Sequence, residues 1–274
     1  MTFLQRHAYG IGCALGAAVW PFLGKRRRLA IDNILRAKVT DDPKAARRIA
    51  RRSLCHLAGH IGEALFVPSV VTRANFRDHL DTSGAPSALV KLLLDTPDRP
   101  ILLVSSHHGV WEAATNILSF ARPMIAVARV QNNRLVAKWM KNHHFRGPVT
   151  IVDKNHGFTP AVLAQWLQTN AAMTILMDQH AGKGGARLSF FGRPARTYTT
   201  ATRLAMRTGL PIVVGSFVRV APYRYGLVAS GDPIVLSKTS DRDAATQLLN
   251  DRLEEAIRQY PEQYLWMHRR WRDD

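Results

Sequence analysis

Short apolar runs alternate with helix-periodic segments from residue 101 onward, and this alternation restricts the fold more than any other feature of the chain. Strands are expected at Ile101 to Val104, Met124 to Val130, Val149 to Val152, Ala172 to Met177, Pro211 to Val218 and Tyr223 to Ala229. Helices are expected at Val110 to Phe120, Arg134 to His143, Thr159 to Thr169 and Thr199 to Thr208. A final amphipathic helix starts at Thr239 or Ser240, runs through Tyr260 and is stopped by Pro261. Strand–helix alternation implies an α/β fold, with a mostly parallel central sheet flanked by helices on both faces. Sites in such sheets collect at the carboxyl ends of the strands. His107, Arg129, Asp178 and Arg219 each fall at or just past such an end.

The richest of these ends is Pro100-Ile-Leu-Leu-Val-Ser-Ser-His-His-Gly-Val-Trp-Glu112. An apolar strand runs into two hydroxyl residues, a histidine pair and a glycine, and Glu112 lies five positions beyond His107. Glu112 would sit in the first turn of the next helix, where a carboxylate is favoured by the helix dipole in any case. From there it can fold back to accept one ring N–H of His107 and fix the tautomer. The other ring nitrogen would then take a proton from a hydroxyl. A surface histidine pair is the plain alternative. Adjacent His107 and His108 project differently, so one base is expected, not two.

Other chemistries find less support. A metal site would need His107, His108 and Glu112 as ligands, yet no H-E-x-x-H, no cysteine pair and no spaced second cluster accompanies them. There is no G-x-S-x-G for a serine nucleophile. Gly182-Lys-Gly-Gly185 reads either as a basic loop closing over a phosphate or as an ordinary solvent loop. Pro194 to Tyr198 reads as loop. Leu188-Ser-Phe-Phe-Gly192 reads as core packing or as an exposed aromatic ridge that could line an acyl channel.

The N-terminal third is read through its charge. The net charge is +18 over 274 residues, which points to nucleic acid, an anionic membrane surface or acidic soluble substrates. Between Lys25 and Arg52 eleven Lys and Arg face three Asp. This basic run follows an uncharged apolar stretch, Ala8 to Gly24, whose length is near the lower limit of about 17 residues for crossing a bilayer. Gly10, Gly12, Gly16 and Pro21 weaken it as a free-standing helix. The order of apolar stretch and basic cluster reads as a membrane anchor, against the alternative of a buried helix with a solvated basic turn. Helices should follow at Arg26 to Ala37 and, capped by Asp42 with Pro43 behind it, to about Phe66. A short helix is expected from Ser87 to Leu94. With only Cys13 and Cys55, no disulfide framework is expected.

The motifs occur in an order that resembles the bacterial lipid A biosynthesis (late, HtrB-like) acyltransferases of the lysophospholipid acyltransferase superfamily. Arg28-Leu-Ala-Ile-Asp-Asn33 resembles an early basic segment, and His107-His-Gly-Val-Trp-Glu112 an H-x4-E block. Val127-Ala-Arg129 with Asn132-Asn133, Met177-Asp-Gln179 and Phe190-Phe-Gly-Arg-Pro-Ala195 resemble the next blocks. Pro261-Glu-Gln-Tyr-Leu-Trp-Met-His-Arg-Arg-Trp271 resembles the closing one. H-x4-E alone is weak; its combination with the others is specific.

The resemblance implies a glycerolipid acyltransferase-like fold, with an N-terminal membrane-associated helical region over 1–66 and an α/β acyltransferase domain over 67–274. It implies an inner-membrane enzyme, working at the cytoplasmic face, that moves a fatty acyl chain to a hydroxyl of a lipid A precursor-like glycolipid. The donor would be an acyl carrier protein or coenzyme A thioester. His107 becomes the general base and Glu112 its partner, while Arg129, Asp178 and Gln179 bind substrate. No cofactor, metal or nucleic acid is implied; the expected partners are acyl carrier protein, an anionic lipid and the membrane surface. Acyl transfer to another lipid (a lysophospholipid, aminolipid or polyene glycolipid) stays open. So does a basic nucleic-acid-binding protein, which rests on charge alone.

Overall fold

A computed structural model describes residues 1–128, 147–153 and 159–272. The N-terminal part is helical: α1 (Phe3–Val19), a single 3₁₀ turn over Trp20–Phe22, α2 (Gly24–Arg36) and α3 (Pro43–Ala64). Asp42 caps α3 as its sequence requires, accepting from the backbone N–H groups of Lys44 at 2.9 Å and Ala45 at 3.0 Å. Pro43 occupies the first helical position, where a missing N–H costs nothing. The short helices α4 (Val67–Val70) and α5 (Ser87–Val90) follow. The helix expected to run unbroken to Leu94 instead widens into a π turn over Lys91–Asp95.

The α/β part contains β1 (Leu80–Asp81), β2 (Ile101–Ser105), α6 (Trp111–Leu118), β3 (Met124–Ala128), β4 (Val149–Asp153) and α7 (Pro160–Gln168). It continues with β5 (Ala172–Leu176), β6 (Ala186–Phe190), β7 (Arg193–Thr197), α8 (Thr200–Thr208), β8 (Ile212–Ala221), β9 (Arg224–Ala229) and α9 (Arg242–Gln259). The seven-stranded sheet has the order β1-β9-β8-β2-β5-β3-β4. Its strands pair in parallel except β8 with β9. Every residue of the central strand β2 is buried, so both sheet faces are covered. Two large cores result, one on each face, beside a small cluster of Val218, Val228 and Ala256. The larger contains Leu102 and Val104 of β2, and joins Trp20, Ile34 and Leu54 of the N-terminal helices to Trp166, Leu253 and Trp266. The other holds Ile101 and Leu103 with α5 and α6. Full burial of each such aliphatic side chain contributes about 1.5–3 kcal/mol.

Three expectations in this part of the chain are corrected. The stretch Pro194 to Tyr198 is not loop: most of it forms β7, which pairs antiparallel with β6. The connecting residues Phe191 and Gly192 both have positive φ, 53° and 70°, the conformation of a two-residue primed turn. Phe at the first position hides that turn from a search for Asn-Gly or Asp-Gly. Phe190 and Phe191 are buried, the core-packing reading of that segment. Arg219 lies within β8, not past its end, because β8 continues beyond the parallel sheet to pair with β9. The last helix is capped by Asp241, which accepts from Asp243 and Ala244, in place of Thr239 or Ser240. Gly182 to Gly185 forms a turn leading into β6, closed by Gly185 N–H on the Gly182 carbonyl. The helix expected at Arg134 to His143 and the residue Arg129 lie outside the described residues.

Candidate active site

Strand order creates the site. β2 and β5 are parallel neighbours in the register Ser105 to Leu176. His107 and Asp178 each lie two residues beyond that last pair, so the register sets them side by side although 71 positions separate them. The ladder extends one step further, since Met177 N–H bonds the Ser105 carbonyl at 3.1 Å. His107 Nδ1 then lies 2.9 Å from Asp178 Oδ1, and His107 Nε2 lies 3.3 Å from the Gln179 amide nitrogen. With the carboxylate accepting Nδ1–H, the Nε2 lone pair faces the Gln179 amide as an acceptor. The His107 side chain is 21% exposed and that of Asp178 3%. The imidazole is therefore reachable while its partner is sealed. Trp111 packs against the His107 ring edge-on, with centroids 5.3 Å apart.

Burial by itself would raise the Asp178 carboxyl. The charge and hydrogen bonds of His107 outweigh it and, with Arg270 nearby, hold the group below the usual carboxylate range. The carboxylate thus stays ionised and can stabilise a protonated ring.

The structure brings together three of the five residues singled out in the sequence: His107, Asp178 and Gln179. Glu112 sits in the first turn of α6, as expected, and is partly buried. The sequence suggested Glu112 as acceptor of one ring N–H of His107; the structure sets the Asp178 carboxylate at Nδ1. His108 is wholly buried, and its Nε2 meets the Tyr260 carbonyl at 3.1 Å, so its place is in the packing. Among the described residues, no group of three His, Cys, Asp or Glu is placed to hold a metal ion.

Several supporting residues escaped the sequence reading. The closing segment straps the His107 loop: Gly109 N–H bonds the Gln263 carbonyl and Leu265 N–H bonds the His107 carbonyl, each at 3.0 Å. Asn33 of α2 holds that strap by donating to the carbonyls of Trp266 and His268. Arg270 is buried; its guanidinium donates to the carbonyls of Gln179 and Arg196 and to Thr197 Oγ1, tying the Asp178–Gln179 turn to β7. His56 of α3 lies 3.0 Å from the Gly109 carbonyl through Nε2, and its Nδ1 lies 3.1 Å from the Tyr9 hydroxyl. The signals were the Arg28-to-Asn33 segment, the H-x4-E block and the W-x-x-R-R-W ending, which the resemblance flagged without showing what they touch. Gly109 itself is obligatory: its φ is +69°, and a Cβ there would lie 1.9 Å from the Phe217 carbonyl oxygen.

Burial pushes His56 and His108 from the ordinary value of 6.5 down to about 4. Both are neutral in the folded protein at neutral pH, whereas the unfolded chain takes up protons as pH falls below about 6.5. Their contribution to stability is complete above 6.5, declines as pH falls from 6.5 to about 4, and is gone below that. The expected loss is on the order of 3 kcal/mol per histidine. Urea denaturation at pH 7.5 and pH 5 reads about 2 kcal/mol of it per histidine; equal midpoints would contradict the burial of two neutral imidazoles.

The fold and this pair define a class of protein: a parallel α/β sheet carrying, at its carboxyl edge, an accessible imidazole held by a buried carboxylate and able to take a proton from a hydroxyl. Residues 4–273 match the family described as bacterial lipid A biosynthesis acyltransferase. The chain is 27% identical over 271 residues to the lipid A biosynthesis palmitoleoyltransferase of Escherichia coli (strain K12), covering 96% of this chain and 84% of the relative. It is equally similar, over the same shares, to the lipid A biosynthesis acyltransferase of Shigella flexneri. The chain belongs to the bacterial lipid A biosynthesis acyltransferase family, and it is an acyltransferase.

Proposed function

We propose that this enzyme transfers a fatty acyl chain from an acyl carrier protein thioester to a hydroxyl of a lipid A precursor, at the cytoplasmic face of the inner membrane. The observation that carries the chemistry is the His107–Asp178 contact at 2.9 Å on a side chain that is 21% exposed. The acceptor hydroxyl displaces the Gln179 amide from Nε2, gives its proton to that nitrogen, and its oxygen attacks the thioester carbonyl carbon. Asp178 keeps the Nδ1–H tautomer and stabilises the imidazolium as it forms. The tetrahedral intermediate collapses with cleavage of the C–S bond, and the departing sulfur takes the proton back from Nε2. Arg129, which follows β3 in the chain, supplies the cation for the thioester oxyanion or an acceptor phosphate. Gln179 binds substrate beside the ring. Glu112, in the first turn of α6, is the second carboxylate close in sequence to the base and its alternative partner. The reaction balances without a cofactor. An excess of Lys and Arg suits both an acidic carrier protein and a phosphorylated lipid.

The test is the product mass from purified protein given a mixture of acyl carrier thioesters and a lipid A precursor. One added acyl ester on the precursor, with release of free carrier thiol, is the expected result. Acylation of a lysophospholipid or aminolipid with the precursor untouched would replace the acceptor. Activity with coenzyme A thioesters alone would replace the donor.

A further inference from the structure

Two imidazoles meet the turn of Asp178, Gln179 and His180, and their ring nitrogens are committed in opposite senses. His107 turns Nδ1 to the Asp178 carboxylate at 2.9 Å. An ionised carboxylate only accepts, so that nitrogen carries the proton and Nε2 keeps its lone pair. His268 of the closing segment has the reverse arrangement. Its Nε2 lies 3.3 Å from the backbone nitrogen of His180. A backbone N–H only donates, so Nε2 of His268 is the acceptor and the proton sits on Nδ1. One ring is left with a lone pair to offer and the other with a donor.

His268 is held from several sides. Asn33 Nδ2 at 2.9 Å and Arg270 N–H at 3.0 Å both donate to its carbonyl. Its own N–H reaches the Leu265 carbonyl at 3.4 Å, and Leu265 N–H in turn bonds the His107 carbonyl. Across the contact, His180 Nδ1 accepts from Gly182 N–H at 3.1 Å, which curls the turn. The His268 residue is partly exposed, and among the described residues nothing accepts from its Nδ1.

Burial above all pushes His268 from 6.5 down to about 4. The Asp178 carboxylate opposes that shift, while His107, Arg272 and Arg270 add to it, so the ring lies within electrostatic reach of the His107–Asp178 pair. It is uncharged at neutral pH. A neutral donor suits this place, because a second imidazolium beside His107 would resist protonation of the base. Nor does His268 compete for the hydroxyl proton, since its lone pair already holds the His180 N–H.

We propose that His268 is a catalytic residue whose Nδ1–H donates to the carbonyl oxygen of the acyl thioester. The inference rests on the hydroxyl-to-thioester reading above. As the acceptor oxygen bonds to the carbonyl carbon, the C=O π pair moves onto the carbonyl oxygen, and the hydrogen bond from Nδ1 strengthens against that charge. When C=O re-forms, the C–S pair leaves on sulfur, which takes the proton from His107 Nε2. His268 keeps its own proton throughout, since a neutral imidazole N–H polarises a carbonyl without being consumed.

Two amides separate this role from support of the turn. His268→Asn places an amide N–H where Nδ1–H stands and gives up the contact with His180. His268→Gln places its oxygen where Nε2 stands, keeps the His180 N–H bonded and gives up the donor. His268→Ala lacks both and should lose about a hundredfold or more in kcat. His268→Asn should recover about tenfold of that loss, whereas His268→Gln should melt close to the parent and stay as slow as the alanine variant. A second readout needs no turnover. A fatty acyl thioester labelled at its carbonyl carbon, on acyl carrier protein and on coenzyme A, is bound with no acceptor present and its infrared carbonyl stretch is recorded. The stretch should fall in the parent, in His268→Asn and in His107→Gln, and stay at the free-thioester frequency in His268→Gln. Transfer at the parental rate by His268→Gln, or an equal carbonyl frequency in that variant and the parent, overturns the proposal. A His107→Gln protein that still transfers acyl groups, with the carbonyl shift intact, would remove the base and leave the donor standing.

Discussion

His107→Ala is expected to lose about a thousandfold or more in kcat, with little change in the fold. The side chain is partly open and packs edge-on against Trp111, outside the two apolar cores, so little core is lost with it. The complication is Asp178, which the alanine variant leaves buried with its imidazole partner removed. A buried charge stripped of its partner costs about 3 kcal/mol or more. His107→Gln answers this, because its amide can still donate to the Asp178 carboxylate yet cannot serve as a base near neutral pH. Both variants should be inactive, and the glutamine variant should melt close to the parent. Steady-state acyl transfer with a thermal melt on each is the measurement. Transfer at the parental rate in a folded His107→Gln protein would remove this residue from the mechanism.

Asp178→Asn carries the second large effect, a loss of about a hundredfold to ten-thousandfold in kcat with KM nearly unchanged. The asparagine amide presents an N–H to Nδ1, so the proton moves to Nε2 and the ring meets the acceptor hydroxyl in the wrong tautomer. The counter-charge for the imidazolium disappears at the same time. Because Asp178 is buried and its charge is held by His107 and Arg270, neutralising it also relieves a desolvation cost, and the variant should stay folded. The comparison with Glu112→Gln identifies the orienting carboxylate. If Asp178 holds the ring, Asp178→Asn collapses kcat by this route. If Glu112 holds it, Asp178→Asn turns over like the parent while Glu112→Gln collapses.

The local elements were largely legible. The run Ile101 to Val104 is buried on both sheet faces and could hardly be anything but an inner strand of a covered sheet. Asp42-Pro43 begins a helix because side chain and ring both favour that geometry locally. The hairpin of β6 and β7 was missed because its turn is made by Phe191 and Gly192, with a non-glycine residue at φ 53° held by the buried packing of both phenylalanines. Arg219 was misplaced because the end of a strand depends on what pairs with it, and β9 carries β8 past the edge of the parallel sheet.

By itself the sequence determined the alternation of strands and helices, the histidine at the end of β2, the basic excess behind an apolar helix, and an ordered set of motifs resembling one acyltransferase family. These are readable because each depends on neighbours within a few turns of chain. Only the tertiary structure brought Asp178 to the histidine. Glu112 is five residues away and Asp178 is 71, yet hydrogen bonding between β2 and β5 fixes the distant pair in register and delivers the carboxylate to Nδ1. The apolar face of α1 was settled in the same way. Its hydrophobicity was visible in the sequence, but only backbone contact with α3 shows which side is committed to the protein and which is left bare.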